Sequence, residues 1–163
     1  MVFKTVFVSF VSGLLFWLVL NASLQIDVLV VGTVVSALLA GLFYKIAVFG
    51  DIKLTPSSVI AIISWFIIFV IELIKSNIDV FLRVISPKLR INPGIVEVKT
   101  TLKSPLGRLI LANSITLTPG TLTVDIIDDI LFIHWIDVTS NDINEATQAI
   151  ARKFEKPLEV IFG

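Results

Sequence analysis

The chain has 163 residues, 56% of them hydrophobic and 16% charged, whereas soluble domains are typically about 45–50% apolar. Thirteen basic residues balance thirteen acidic ones, so bulk charge gives no attraction for nucleic acid. The chain has no cysteine and a single histidine, His134. This excludes disulfides, thiol catalysis, cysteine-ligated iron–sulfur clusters and a multi-histidine metal or haem site within the chain. The composition predicts a membrane protein.

Three apolar segments open the chain and predict a membrane domain over residues 1–90. We predict transmembrane helices at about 4–21, 28–48 and 57–85, the third continuing into an amphipathic stretch. Each apolar core is slightly shorter than the roughly 20 residues of a full span, and flanking residues extend it. No small-residue cleavage site follows the first segment, so we interpret it as a retained helix that forms a hairpin with the second.

Basic residues give an orientation. Lys45 and Lys53 lie between the second and third helices, and four basic residues follow between residues 75 and 90. The positive-inside tendency then favours a cytoplasmic C-terminal tail. With three crossings, the same orientation places Lys4 on the outer side of the membrane, which conflicts with the positive-inside tendency.

Small residues recur four apart along the second helix, at Gly32-Thr33, Ser36-Ala37 and Ala40-Gly41. Such a face allows close helix approach. It is compatible with packing inside the hairpin and with docking against a partner's helices, and the sequence favours neither.

Glu72 ends the third apolar run, and Lys75 and Asp79 lie on the same helical face. An ionisable group within lipid is a candidate for an ion pathway. Because Glu72 lies near the helix end, we favour an interfacial ion pair with Lys75 and keep Glu72 as the ion-path candidate.

Residues 91–163 predict a soluble α+β domain. A strand is expected at Ile95 to Thr100, and Ser104-Pro105 begins a helix as N-cap and first helical residue. Pro119-Gly120 then predicts a tight turn. The helix is expected to carry one face formed by Leu106, Leu109, Ile110, Asn113 and Leu117.

Two further strands are predicted at Thr121 to Ile127 and Ile130 to Val138, joined by Asp128-Asp129. A helix capped by Thr139 or Ser140 follows, ends at Pro157, and leads to a last strand from Leu158 to Phe162. The order β-α-β-β-α-β predicts a ferredoxin-like fold. The strand "ILFIHWIDV" is apolar on both faces, so we expect another protein or the membrane surface to cover its outer face.

The polar residues of this domain do not form a catalytic pattern. Asp125, Asp128 and Asp129 offer metal-ligating oxygens, but an Asp-Asp hairpin tip is typical of a turn. His134 is compatible with a proton relay, yet without a nearby nucleophile it is more typical of packing or an interface. We therefore predict no catalytic, cofactor-binding or metal-binding residues.

Three motifs give a family resemblance. "NPGIVEV" at 92–98, "LANSITLTPGTLTVD" at 111–125 and "HWIDV" at 134–138 resemble the E subunit of the Mrp-type multisubunit Na+/H+ antiporters. The resemblance is clear from the third helix to Val138 and holds in pattern only for the first two helices. It implies one of several small membrane proteins that accompany large proton-pumping subunits. Equivalent subunits occur in membrane-bound hydrogenases and sulfane reductases, and the sequence does not separate these hosts.

We therefore expect a non-enzymatic accessory subunit of a cation/proton antiporter in the cell membrane of a prokaryote. Its partners would be other antiporter subunits and the lipid bilayer. The motif residues would have structural or interface roles: Asn92, Pro93, Gly94, Asn113, Ser114, Thr118, Pro119, Gly120, Thr121, His134, Trp135 and Asp137. An alternative of another class is a stand-alone, membrane-anchored ligand sensor, although no glycine-rich phosphate loop supports it.

Overall fold

A computed structural model of the protein describes residues 2–42, 53, 55–88 and 91–163. The chain divides into two compact units, Met1–Ile52 and Lys53–Gly163. The first unit contains two helices in its described part. The second contains a long helix, a small antiparallel sheet and three shorter helices.

The first unit is a helical hairpin of α1 (Val2–Asn21) and α2 (Ile26–Leu42). The Trp17 indole donates a hydrogen bond to the Val28 carbonyl at 3.0 Å, and Gly32, Ser36 and Ala40 are the buried residues of α2. A Cβ added at Gly32 would collide with the Trp17 ring. Gly32, Ser36 and Ala40 therefore pack inside the hairpin, whereas Thr33, Ala37 and Gly41 are exposed. The predicted end of this helix, residues 43–48, lies outside the described residues.

The second unit begins with α3 (Pro56–Ile85), a helix of 30 residues. The Thr55 side chain caps it by accepting a hydrogen bond from the Ser58 amide, and Pro56 occupies the first turn. Among the described residues, α3 alone has both the length and the apolar composition for crossing a membrane, while α1 and α2 provide shorter apolar stretches. The sequence predicted three such helices.

A three-stranded antiparallel sheet forms the centre of the second unit, in the order β1-β3-β2. Its strands are β1 (Gly94–Lys99), β2 (Thr121–Ile127) and β3 (Ile130–Trp135). β3 ends at Trp135, three residues before the predicted Val138, and the Asp128-Asp129 hairpin turn forms as expected. Alternation leaves one face buried through Val96, Val98, Leu131 and Ile133.

Helices cover that buried face. Of these, α4 (Pro105–Leu117) packs on β2 and α5 (Ile143–Ile150) packs on β1. Ser104 caps α4 as predicted, accepting a hydrogen bond from the Gly107 amide at 3.2 Å. Asp142, rather than Thr139 or Ser140, caps α5 by accepting from the amides of Asn144 and Glu145.

The buried side of α4 differs from the predicted one. Leu109 and Leu117 are exposed, as is Asn113. The buried residues are instead Gly107, Leu111, Ala112, Ser114 and Ile115. Because α4 has neighbours on several sides, small residues face them; a Cβ added at Gly107 would lie 3.2 Å from Phe162.

The predicted last strand is wrong, because the chain forms helix α6 from Arg152 to Phe162 with Pro157 inside it. Proline in a helix interior costs about 3 kcal/mol. Burying Leu158, Ile161 and Phe162 contributes roughly 1.5–3 kcal/mol for each side chain, which exceeds that cost. The observed order is therefore β-α-β-β-α-α, without the fourth strand of a ferredoxin-like fold.

Alanine substitutions at Leu158 and Val160 test the helical form of α6. A strand would place both side chains on one face, whereas the helix buries Leu158 and leaves Val160 44% exposed. We expect Leu158→Ala to lower the free energy of unfolding by about 2–5 kcal/mol. Val160→Ala should change it by less than about 1 kcal/mol. Thermal unfolding of the detergent-solubilised chain measures the difference, and equal losses would indicate a strand.

Candidate functional site

A cleft of about 240 Å³ lies between α3 and the sheet domain, within the second unit. Charged side chains of α3 and α6 line one wall, among them Glu72, Arg83 and Lys153. The other wall is formed by six of the motif residues identified from the sequence: Thr118, Pro119, Gly120, Thr121, Trp135 and Asp137. The motifs, separated in sequence, thus meet at one place in the fold.

Ion pairs connect α3 to α6 and to the segment that follows β3. Lys153 Nζ lies 2.6 Å from Glu72 Oε2, and Lys75 Nζ lies 3.1 Å from Glu72 Oε1. Arg83 contacts Asp137 Oδ2 at 2.9 Å and Asp79 Oδ2 at 2.7 Å. The pairs Glu72–Lys153 and Arg83–Asp137 connect residues 81 and 54 positions apart. They join α3 to the folded domain.

The turn before β2 is built by its threonines and its glycine. The hydroxyls of Thr118 and Thr121 both donate to the Ile115 carbonyl at 2.7 Å, which terminates α4. Gly120 adopts φ +96°, a left-handed conformation that side chains disfavour. A Cβ at Gly120 would also lie 3.1 Å from Ile136 Cγ2. This glycine is required by both conformation and space.

The "NPG" motif fastens the chain that follows β3. The Asn92 amide donates to the Ile136 carbonyl at 3.0 Å, and its side-chain Nδ2 donates to the Val138 carbonyl at 2.8 Å. Gly94 pairs with Trp135, where a Cβ would lie 3.1 Å from Val138 Cγ2. Pro93 is exposed. The motif thereby positions Asp137 opposite Arg83.

Three further motif residues lie away from the cleft. Ser114 is buried in α4, where its hydroxyl accepts a hydrogen bond from Trp65 Nε1 at 3.1 Å and so links α4 to α3. Asn113 is exposed on α4. His134 is exposed on the outer face of the sheet, between Ile95 and Leu122 of the neighbouring strands. These positions are suited to packing and surface contact.

A buried carboxylate, Glu155 of α6, was missed by sequence reasoning. Its side chain is 1% exposed. Oε1 accepts hydrogen bonds from the Thr100 hydroxyl at 2.6 Å and the Thr101 amide at 2.7 Å, and Oε2 accepts from Arg152 at 3.0 Å. A glutamate among the apolar residues of "FEKPLEVIF" was the available signal, but the partners at Thr100 and Thr101 lie more than 50 residues away.

The pKa of Glu155 reflects two opposing effects. Burial alone raises the pKa, and the hydrogen bonds from Thr100, Thr101 and Arg152 lower it; the net pKa lies below the usual value of 4.5. The Glu155 carboxylate is therefore ionised at neutral pH. It ties β1, through the segment that follows it, to α6.

Metal ligation has no obvious place in the described ranges, where no three His, Cys, Asp or Glu side chains come together. The hairpin aspartates have local partners. Asp125 Oδ1 accepts from the Ile126 amide, and Asp129 pairs with Lys99 at 3.3 Å. The Asp128 carbonyl accepts a hydrogen bond from Arg108. In the cleft, Glu72 pairs with Lys153, and Arg83 pairs with Asp79 and Asp137. Such contacts are suited to holding structural elements together.

Comparison with known proteins gives the family. A family model described as "Na+/H+ ion antiporter subunit" matches residues 10–161. The chain is 33% identical over 150 residues to the E1 subunit of the Na(+)/H(+) antiporter of Staphylococcus haemolyticus, covering 86% of each chain. It is 43% identical over 104 residues to the antiporter E subunit of Bacillus subtilis, covering 63% of this chain and 65% of that one. The chain belongs to the family of Na+/H+ antiporter E subunits.

A solved structure is also similar to this antiporter-family chain. It is a chain of the membrane-bound sulfane sulfur reductase, an archaeal respiratory membrane complex. The two chains are 42% identical, with a TM-score of 0.85 and coverage of 96% of this chain and 98% of that one. The resemblance predicted from the motifs is confirmed, and the protein is a prokaryotic membrane protein.

Substitution of Glu155 tests the buried carboxylate. Glu155→Gln places an amide NH2 group toward Arg152, so we expect the free energy of unfolding to fall by about 1–3 kcal/mol at neutral pH. The matched control is Glu159→Gln. This carboxylate also accepts from Thr101 and Arg152, but its side chain is 37% exposed, so its effect should be below about 1 kcal/mol.

The pH dependence gives a second measure of the same residue. Because the folded pKa of Glu155 is lowered, its stabilising contribution is complete above the unfolded value of 4.5. It is lost as the pH falls through the lower, folded pKa. Thermal unfolding of the native chain should therefore show a loss of stability at acidic pH, and this loss should be smaller in Glu155→Gln. An unchanged profile would contradict the assignment.

Proposed function

We propose that the chain is a non-catalytic accessory membrane subunit of a multisubunit Na+/H+ antiporter, which supports assembly and ion transport. The observation that carries this proposal is the use of the motif residues. Asn92, Thr118 and Thr121 fix backbone turns, Ser114 bonds to Trp65, and Asp137 pairs with Arg83. Such contacts hold and orient a domain.

We propose that residues 1–90 hold the chain at the membrane and residues 91–163 form a cytoplasmic domain. The hairpin of α1 and α2 would cross the bilayer twice. Its large apolar side chains, such as Phe16, Leu20 and Leu38, are exposed, which suits lipid or neighbouring transmembrane helices. The basic residues that follow the hairpin favour the cytoplasmic side.

The outer face of the sheet provides a surface for neighbouring subunits. Ile95 and Leu122 are 61% and 50% exposed on either side of His134. Apolar side chains in adjacent exposed positions are typical of protein contacts. This agrees with the expectation, from the apolar third strand, that the outer face is covered in the assembled complex.

A second host is supported by the structural comparison. The similar chain at 42% identity belongs to a sulfane sulfur reductase complex, whereas the sequence relatives are named as antiporter subunits. The same subunit within a membrane-bound hydrogenase or sulfane reductase is therefore the alternative host.

Purification through a tag on this chain in mild detergent, followed by mass spectrometry, identifies the host. We expect other antiporter subunits to copurify. Accompanying iron–sulfur or nickel–iron subunits would indicate a respiratory complex that contains the same type of module. A chain that purifies alone under conditions that preserve other membrane complexes would contradict the accessory role and favour the sensor.

Substitution of Glu72 distinguishes a structural role from a role in the ion pathway. Since Glu72 contacts both Lys75 and Lys153, we propose that it holds α3 to α6, not that it carries ions. Glu72→Gln should then leave cation/proton exchange within about twofold in complexes that assemble, since transport itself makes no use of its charge. Exchange is measured in vesicles, with Glu145→Gln, exposed on α5, as control. Loss of exchange in fully assembled Glu72→Gln complexes would make Glu72 part of the ion pathway.

A further inference from the structure

Helix α3 has two unlike sides. The side toward the folded domain carries Ser58, Ala61, Trp65, Glu72, Ser76 and Arg83, which follow the helical period and are buried or half-buried. The opposite side is almost entirely apolar and exposed along the whole helix, as at Ile63, Phe66, Ile67, Ile74, Phe81 and Ile85. A helix that crosses lipid alone has no need of such a division.

The folded domain accompanies α3 from one end to the other. At the start, the Lys53 amide donates to the Ile161 carbonyl at 2.9 Å. Trp65 bonds to Ser114 and Glu72 to Lys153 farther along. Near the end, Arg83 bonds to Asp137. Ser57, which lines a groove together with Val160 of α6, precedes Arg83 by 26 positions. At about 1.5 Å per residue this separation is about 39 Å, which is more than the roughly 30 Å of a hydrocarbon core.

This contact is incompatible with a crossing by α3. Wherever the bilayer were placed along the helix, the domain beside it would enter the hydrocarbon. Arg152, Lys153 and Lys156 would enter with it, since α6 packs directly on α3. Charged side chains within lipid are strongly disfavoured. Length and composition alone make α3 a membrane-span candidate, but its attachment to the domain excludes that orientation.

Basic residues border the apolar side of α3. Lys75 is 68% exposed on one flank, and Lys53 and Lys88 are exposed near the two ends. On the same flank, a groove is lined by the apolar residues Ile60, Ile68 and Val160 together with Lys153 and Lys156. Lysines at the border of an apolar helix face are the arrangement that binds anionic lipid headgroups.

The distribution of charge in the sequence agrees with two crossings. The turn between α1 and α2, residues 22–25, contains no lysine or arginine. If only α1 and α2 cross, Lys4 and all twelve other basic residues of the chain lie on one side of the membrane. If α3 crosses as well, Lys4, Lys45 and Lys53 lie on the side opposite to the tail. The positive-inside tendency favours the two-crossing arrangement and removes the conflict at Lys4.

We propose that α3 lies along the cytoplasmic surface of the bilayer, with its apolar side in the acyl-chain boundary and its bordering lysines on anionic lipid headgroups. The folded domain then rests on the water-facing side of α3. The inference rests on the proposed function in requiring a membrane-anchored chain. It replaces three crossings by two.

Single-cysteine labelling tests this placement, because the cysteine-free chain carries no other thiol that could be labelled. Lys53→Cys and Lys88→Cys place a thiol before and after α3, both at exposed positions, and Gln25→Cys places one in the exposed α1–α2 turn. Each variant of the full chain is produced in its complex. Right-side-out and inside-out membrane vesicles are then treated with a membrane-impermeant maleimide.

We expect Lys53→Cys and Lys88→Cys to be labelled in inside-out vesicles and protected in right-side-out vesicles, with the reverse result for Gln25→Cys. Labelling of Lys53→Cys and Lys88→Cys from opposite sides would overturn the inference, because α3 would then cross. Labelling of all three variants from the cytoplasmic side would leave α3 at the surface but remove the two crossings of the proposed function. The two failures are therefore distinguishable.

Lipid contact is measured separately. A fluorophore on Ile74→Cys, in the complex reconstituted into phosphatidylethanolamine–phosphatidylglycerol vesicles, should be quenched more by nitroxides near the headgroup than by nitroxides deep in the chains. Glu145→Cys, exposed on α5 in the folded domain, should not be quenched. Omitting phosphatidylglycerol should reduce the quenching. Absence of quenching at Ile74→Cys, with crosslinking to another subunit, would show that a protein covers this side and would overturn the lipid assignment.

Discussion

The packing of α6 against α3 is the contact on which the second unit depends. It places Lys153 on Glu72 and brings the apolar side chains of α6 between α3 and α4. Without α3, one side of α6 would be exposed to water. A domain of about 70 residues buries only roughly 60% of the surface that its unfolded chain exposes and is marginally stable by itself, so the long helix supplies part of its core. For this reason α3 and the sheet domain form one compact unit.

The same contact explains the helical form of residues 152–162. Pro157 and the apolar "LEVIF" that follows predict a break and a strand when they are considered locally. A fourth strand would have paired at a sheet edge, where its backbone gains hydrogen bonds. As a helix, the segment buries Phe154, Leu158 and Ile161 together and also buries Glu155, whose hydrogen bonds reach the end of β1. Tertiary burial therefore outweighed the local signal of proline.

Features set by neighbouring residues could be read from the sequence. The Ser104-Pro105 helix start, the Pro119-Gly120 turn and the Asp128-Asp129 hairpin each depend on a few adjacent residues, and each forms as predicted. The buried side of α4 and the partners of Glu155 depend on elements about 50 residues apart, which no local pattern contains. The motifs contain the residues that form one wall of the cleft. Lys153 and Trp65 lie outside every motif, although their contacts with Glu72 and Ser114 attach the folded domain to α3.

The position of the motif residues has a mechanical consequence. Asn92 fixes the backbone of residues 136–138, Gly120 permits close approach of Ile136, and Asp137 receives Arg83. These contacts meet at the C-terminal end of α3, while Lys53 and Ile161 meet at its start. Because α3 contacts the folded domain near both of its ends, the helix cannot tilt independently of that domain. Any subunit that binds the sheet face is therefore held at a fixed height and angle relative to α3, which is what an accessory subunit needs in order to orient its neighbours.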